Sequence, residues 1–207
     1  MHGSPRDPER NQERILKAAT DEFARHGLGG ARVDRIAARA GANKRMLYYY
    51  YGNKDELFLA VLEAAYARIR SAEHELRLAD LEPQEAIRRL VRFTWDYYLA
   101  HPEFLTLLST ENLHQACHLK RSQHIAAMHS PFVATIREVL RRGVAAGKFR
   151  SGVDPVQLYI SIAGEGYFYL SNRYTLSRIF ARDLMAPRAL SGRARHISHM
   201  ILNALRS

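Results

Sequence analysis

Apolar residues recur three and four positions apart along this chain, at Ile15, Leu16, Ala19 and Phe23 and again at Leu57, Phe58, Val61, Leu62, Ala65 and Ile69, and no stretch sustains the alternation of a half-buried strand. That periodicity confines the chain to an all-α fold. Proline marks the starts: Asp7-Pro8, Glu82-Pro83, His101-Pro102, Ser130-Pro131, Asp154-Pro155 and Ala186-Pro187 each set proline at a first helical position, where its missing N–H costs nothing. Ser130 and Asp154 also have the side chains of helix caps. Glycine marks the stops at Gly27, Gly41, Gly143 and Gly147. Together these signals predict helices over 8–26, 33–40, 44–51, 54–78, 83–100, 102–118, 130–146, 155–180 and 187–206. They divide the chain into a three-helix N-terminal domain, 1–53, and a larger helical domain, 54–207. No linker rich in Gly, Ser and Pro separates the two, so the helix beginning near Lys54 is expected to join them.

Charge narrows the function. The formal net charge of +10 raises the expectation of a polyanionic partner, because clustered Lys and Arg gain affinity by releasing counterions from phosphates. The excess is dense between residues 29 and 54, where Arg32, Arg35, Arg39, Lys44, Arg45 and Lys54 face one acid, Asp34. Cys117 is the only cysteine, so an internal disulfide is excluded, in keeping with a reducing, cytoplasmic setting. Charged residues interrupt every apolar run before it reaches bilayer-spanning length, so no membrane association is expected. No Gly-rich phosphate loop, nucleophile elbow or paired-carboxylate site is present, which argues against an enzyme, and no cofactor is expected.

Within that basic stretch, two helices too short to bury much surface alone meet at a tight turn on Gly41. Ile36, Ala37, Ala40, Leu47 and Tyr51 are spaced to pack inward on the first helix, which is helix-turn-helix geometry. Asn43 can cap the third helix. Lys44, Arg45, Tyr48 and Tyr49 then lie on its outward, N-terminal side, where a recognition helix meets base edges and phosphates. Four consecutive tyrosines, Tyr48 to Tyr51, cannot all enter one core, so some must be exposed.

This stretch resembles the TetR family of repressors. The family pattern of Ile-Ala-x-x-Ala-Gly, Leu-Tyr-x-x-Phe and Ser-Lys-x-x-Leu is matched by Ile36-Ala37, Ala40-Gly41, Leu47-Tyr48, Tyr51 in place of Phe, and Lys54 with Leu57. The resemblance implies that Tyr48, Tyr49, Tyr50 and Lys54 contact the DNA backbone while Asn43, Lys44 and Arg45 face the groove. It further implies a palindromic double-stranded operator, a homodimer and a small-molecule effector that releases the DNA. Arg32 departs from the pattern: it stands where the family carries a capping Thr, and it removes a side-chain acceptor or reaches a phosphate instead.

The C-terminal part offers Trp95, Tyr98, Glu111, His114, His118, Glu165, Tyr167 and Asn172 as pocket residues, polar or aromatic groups interrupting apolar faces. Glu165, between Gly164 and Gly166, must find a partner, either an arginine across a dimer interface or a ligand. Glu111, His114 and His118 are expected on one helical face, a spacing that suits pocket walls and also a metal. Val156, Ile160, Ala163, Gly164 and Tyr167, with Ile197, Met200, Ile201 and Leu205, offer an apolar face for a two-fold dimer.

Overall fold

A computed structural model describes residues 8–206, apart from the side chain of Ala126, and all regular structure among them is helical. The elements are α1 (Pro8–Gly30), α2 (Val33–Ala40), α3 (Lys44–Tyr51), α4 (Lys54–His74), α5 (Pro83–Ala100), α6 (Pro102–Leu113), α7 (His124–Ala145), α8 (Pro155–Ser171), α9 (Arg173–Ile179) and α10 (Pro187–Leu205). Single 3-10 turns lie at Leu78–Asp80 and Leu119–Arg121. The spans of α2, α3 and α5 are those the sequence predicts. Asp7, which precedes the first of the helix-starting prolines, lies outside the described residues.

Helix α4 stops at His74 rather than 78, and α7 and α10 each end one residue early; four further boundaries differ for a local reason. Helix α1 does not stop at Gly27 but bends there (φ 62°, ψ 179°) and continues to Gly30. Pro131 does not open a helix: it lies inside α7, which begins at His124. The helix expected over 155–180 breaks at Asn172, whose Nδ2 donates to the Phe168 carbonyl at 2.9 Å and ends α8. Helix α6 stops at Leu113 because Gln115 and Ala116 both adopt φ of 57°, turning the chain back on itself.

Two compact units emerge: residues up to Ala67 together with Glu103–Ala126, and Arg68–Pro102 together with Ala127 onward. Compactness thus groups the first part of α4, and nearly all of α6, with the three N-terminal helices, a division different from one at residue 53. In the first unit Ile15 and Phe23 of α1, Ile36 of α2, Leu47 of α3, and Leu57, Phe58 and Leu62 of α4 are fully buried. Each such side chain contributes about 1.5–3 kcal/mol through removal from water. Phe23 and Phe58 meet edge to face with centroids 5.0 Å apart, which fixes α4 against α1.

In the second unit α5 packs against both α8 and α10. Gly166 lets α5 and α8 close up, since a Cβ there would lie 3.1 Å from the Tyr98 ring. Leu158, Ile162 and Leu170 face this core, and Ile197, Ile201 and Leu205 join them from α10. The last three were expected on a dimer face; instead they are buried in their own chain. What α8 leaves outside is Val156, Ile160, Gly164 and Phe168, a row four residues apart on the side opposite its buried row.

Candidate nucleic-acid interface

The three N-terminal helices are held together by caps as much as by their core. Arg32 supplies no side-chain acceptor at the start of α2. Glu22 of α1, 1% exposed, does so from a distance: its Oε1 accepts the Arg32 backbone N–H at 3.1 Å and Arg35 Nε at 2.7 Å. Burial pushes the Glu22 carboxyl up, but the Arg35 hydrogen bond, the Arg32 N–H and the charges of Arg35 and His26 outweigh it, so the group titrates below the ordinary range. The other end of α2 is closed by Gly41 in the left-handed region (φ 58°, ψ 34°), with backbone bonds back to Ala37 and Ala38. Arg14 of α1 donates to the Ala40 carbonyl (Nε, 2.9 Å) and the Gly41 carbonyl (Nη2, 3.0 Å), setting a cation at the negative end of the helix dipole. Nothing in the spacing of α1 singles out Arg14 or Glu22, and sequence reasoning missed both.

Asn43 caps α3, its Oδ1 accepting the Met46 N–H at 2.8 Å, so its side chain is engaged at the helix start while remaining exposed. Leu47 faces inward. Tyr51 is half-buried, its hydroxyl donating to the Gln12 carbonyl at 3.2 Å; burial and then Tyr50 raise its pKa. Tyr50 lies between Tyr49 and Tyr51 in edge contacts, with centroids 5.4 and 6.4 Å away. Tyr48 and Tyr49 are 44% and 83% exposed, and beside them Arg45 is exposed without a partner among the described residues. Lys44 ion-pairs with Asp34 across the turn at 2.5 Å, and that hydrogen bond raises its pKa. Lys54 does not stand free at the start of α4: its Nζ donates to the Leu28 carbonyl at 2.8 Å and lies 3.5 Å from that of Ala31.

Two short helices braced on α1, with an exposed basic and aromatic outer face on the second, form a helix-turn-helix. The model for the tetR family of bacterial regulatory proteins matches residues 15–61, and that for the tetracyclin repressor-like C-terminal domain matches residues 83–201. The chain belongs to the TetR family. It is a transcriptional regulator of that type and not an enzyme. It is similar to the HTH-type transcriptional repressor NicS of Pseudomonas putida, 43% identical over 96% of this chain and 93% of that protein. It is also similar to the HTH-type transcriptional repressor SCO4008 of Streptomyces coelicolor, 42% identical over 67% of this chain and 69% of the relative. The crystal structure of the putative transcriptional regulator SCO4942 from Streptomyces coelicolor shares the fold, with a TM-score of 0.70 at 24% identity, covering 94% of this chain and 98% of that one. No helix among the described residues is long and apolar enough to cross a membrane.

The eight pocket candidates separate into two groups. Glu111, His114 and His118 belong to the first unit, the other five to the second. Glu111 and His118 are buried on one another: Glu111 Oε2 lies 2.6 Å from His118 Nδ1, and Oε1 accepts the backbone N–H of His118 and Leu119, each at 2.9 Å. The His118 ring contacts Phe58 edge to face, so this pair stitches α6 to α4. The two do not share a helical face with His114, which is exposed, because α6 ends between them. Among the described residues no group of three or more His, Cys, Asp or Glu is placed to hold a metal.

Trp95 and Tyr98 are buried against Gly166, and Trp95 meets Tyr169 edge to face at 5.6 Å. Tyr167 is half-buried, and Asn172 is spent on ending α8. Glu165 finds its arginine within the chain: Arg193 of α10 donates to its carboxylate and, at 3.0 Å, to its carbonyl.

The second unit holds a charged cluster the sequence did not reveal. Arg70, on the last turns of α4, lies over the Phe132 and Tyr159 rings at 4.5 and 5.2 Å and donates to the Tyr159 hydroxyl at 2.6 Å. Its Nη1 lies 2.8 Å from Glu73 Oε2. Burial raises the Glu73 pKa to about 8 against the opposing pull of Arg70. On the sequence both are ordinary helical charges three apart.

Proposed function

We propose that the chain is a repressor that binds a palindromic operator as a homodimer and is released from it by a small-molecule effector. The observation that carries this reading is the outer face of α3: a helix capped by Asn43 and pinned by Leu47 presents Arg45, Tyr48 and Tyr49 to solvent beside Lys44 and Tyr50. Exposed aromatics interleaved with cations on a braced helix suit phosphate, sugar and base-edge contact. Arg32, at the start of α2, extends the same basic surface. Lys54 supports the reading head from behind, by holding the carbonyls that follow the α1 bend. Repression is the function named for both NicS and SCO4008.

The homodimer is supported by the row Val156, Ile160, Gly164 and Phe168 on α8, with Met200 exposed on α10. A two-fold axis through such faces sets two recognition helices for successive major grooves, about 34 Å apart for half-sites one turn apart. The effector reading is supported by the extent of chain beyond the three helices and by α4, a single helix shared by both compact units. Selection of bound fragments from random DNA, followed by footprinting, tests the reading. A palindromic footprint that loses base preference in Arg45→Ala is expected, and binding without sequence preference would refute it.

A further inference from the structure

Between α5 and α10, wholly within the second unit, lies a cleft of about 1220 Å3. Its two walls are rows of residues at helical spacing. Arg89 and Phe93 follow one another by four on α5, with Trp95 at the base, and Arg195 and Leu202 run along α10 towards Arg206 at its C-cap.

Charge on this surface is unevenly spent. Arg88 is paired with Glu85 at 2.5 Å and Arg92 with Asp96 at 2.8 Å, each along its own helix. Arg89, Arg195 and Arg206 are exposed, and their guanidinium groups make no hydrogen bond or ion pair among the described residues. Three guanidiniums thus rim a hollow whose floor is aromatic and aliphatic. The arginine row of α10 is also separate from Gly192, His196 and Met200, which follow the side of that helix proposed for dimer contact, so occupants of the two surfaces need not compete.

We propose that this cleft is a binding site for an organic anion with an extended apolar body. The carboxylate, sulfonate or phosphate head pairs with Arg89, Arg195 and Arg206, and the body lies on Phe93, Trp95 and Leu202. Guanidinium suits this task because its planar fork meets such a head with two parallel hydrogen bonds and is weakly hydrated. Apolar floor and cationic rim together select against neutral hydrophobes, which gain only the floor, and against small inorganic anions, which gain only the rim. Occupancy stands apart from operator release, which is read by a separate assay.

The test uses two dyes that differ in charge, 1-anilinonaphthalene-8-sulfonate and the neutral N-phenyl-1-naphthylamine, titrated into the full chain. The sulfonate is expected to bind at one site per chain, quench Trp95, and weaken as salt is raised. In the double variant Arg89→Ala/Arg195→Ala its affinity is expected to fall at least about tenfold while that of the neutral dye stays as it was. Because both arginines are exposed, the double variant should retain the thermal transition of the parent chain, and Arg206→Ala alone provides a second, milder test of the same direction. Equal affinity for the two dyes, or sulfonate binding unchanged in both variants, would overturn the proposal.

Discussion

Lys54 Nζ donates to the carbonyl of Leu28 at 2.8 Å, tying the first residue of α4 to the segment that follows the bend in α1. Lys54→Ala is therefore expected to weaken binding to every DNA sequence by loosening the frame that holds α2 and α3. A lost phosphate contact would also lower the salt dependence, by about 0.9 in the slope of log affinity against log salt. The expected slope is that of the parent chain. Anisotropy titrations at several salt concentrations measure both quantities, and a slope lower by about one unit would return Lys54 to the phosphate backbone.

Gly41 holds φ of 58°, and a Cβ at that position would approach Arg14 Nη2 to 2.8 Å. Gly41→Ala should cost about 1–2 kcal/mol from the left-handed backbone, with displacement of the Arg14 cap adding to it. Arg14→Ala should destabilise the chain by a smaller amount, about 1 kcal/mol, since it removes hydrogen bonds without straining the turn. Denaturant titrations of the two variants would check the order, and the argument fails if Arg14→Ala is the more damaging.

Glu22 and Glu73 should give stability profiles of opposite sign against pH. The folded pKa of Glu22 is lowered, so its contribution is complete above the unfolded value near 4.5 and is lost as pH falls through the folded value. For Glu73 the folded pKa is raised from 4.5 to about 8, so its contribution is complete below 4.5 and is lost as pH climbs towards 8. Melting temperatures of Glu73→Gln should depend less on pH between these values than those of the parent chain. Parallel profiles would show that Glu73 does not titrate there.

Ile160 and Phe168 lie on the exposed row of α8, 54% and 59% exposed in the single chain. Ile160→Asp/Phe168→Asp should leave the helical circular dichroism intact and shift sedimentation from dimer to monomer at micromolar concentration. Operator affinity should fall with it, because two half-sites are no longer engaged by one particle. A double variant that still sediments as a dimer would move the interface elsewhere.

The reading head was legible in the sequence because its signals are local. Gly41 and Asn43 act on the turn they occupy, and the inward positions Ile36, Ala37 and Leu47 follow from helical spacing alone. The braces on it were not legible, since Arg14, Glu22 and Lys54 act on backbone groups that only the folded chain brings near. In the C-terminal part the same distinction explains the misplaced residues. Glu165 needed an arginine and found Arg193 across a helix pair, and Glu111 turned the chain after α6 by accepting backbone N–H groups from residues that carry no stop signal of their own. Pro131 was read as a helix start because Ser130 precedes it, yet Ile125, Ala126 and Ala127 continue a helix from further upstream.

Of the six basic side chains between residues 29 and 54, four already have partners: Arg35 with Glu22, Lys44 with Asp34, Lys54 with backbone carbonyls, and Arg39 with Asp21 at 4.0 Å. Attraction to arbitrary stretches of chromosome scales with the number of phosphates a protein neutralises. With its cations so engaged, the reading head is expected to dwell only briefly on random sequence and to return quickly to solution. The carboxylates beside its arginines should thereby shorten the search for a rare operator, at the cost of ion pairs that the correct site must exchange for its own contacts.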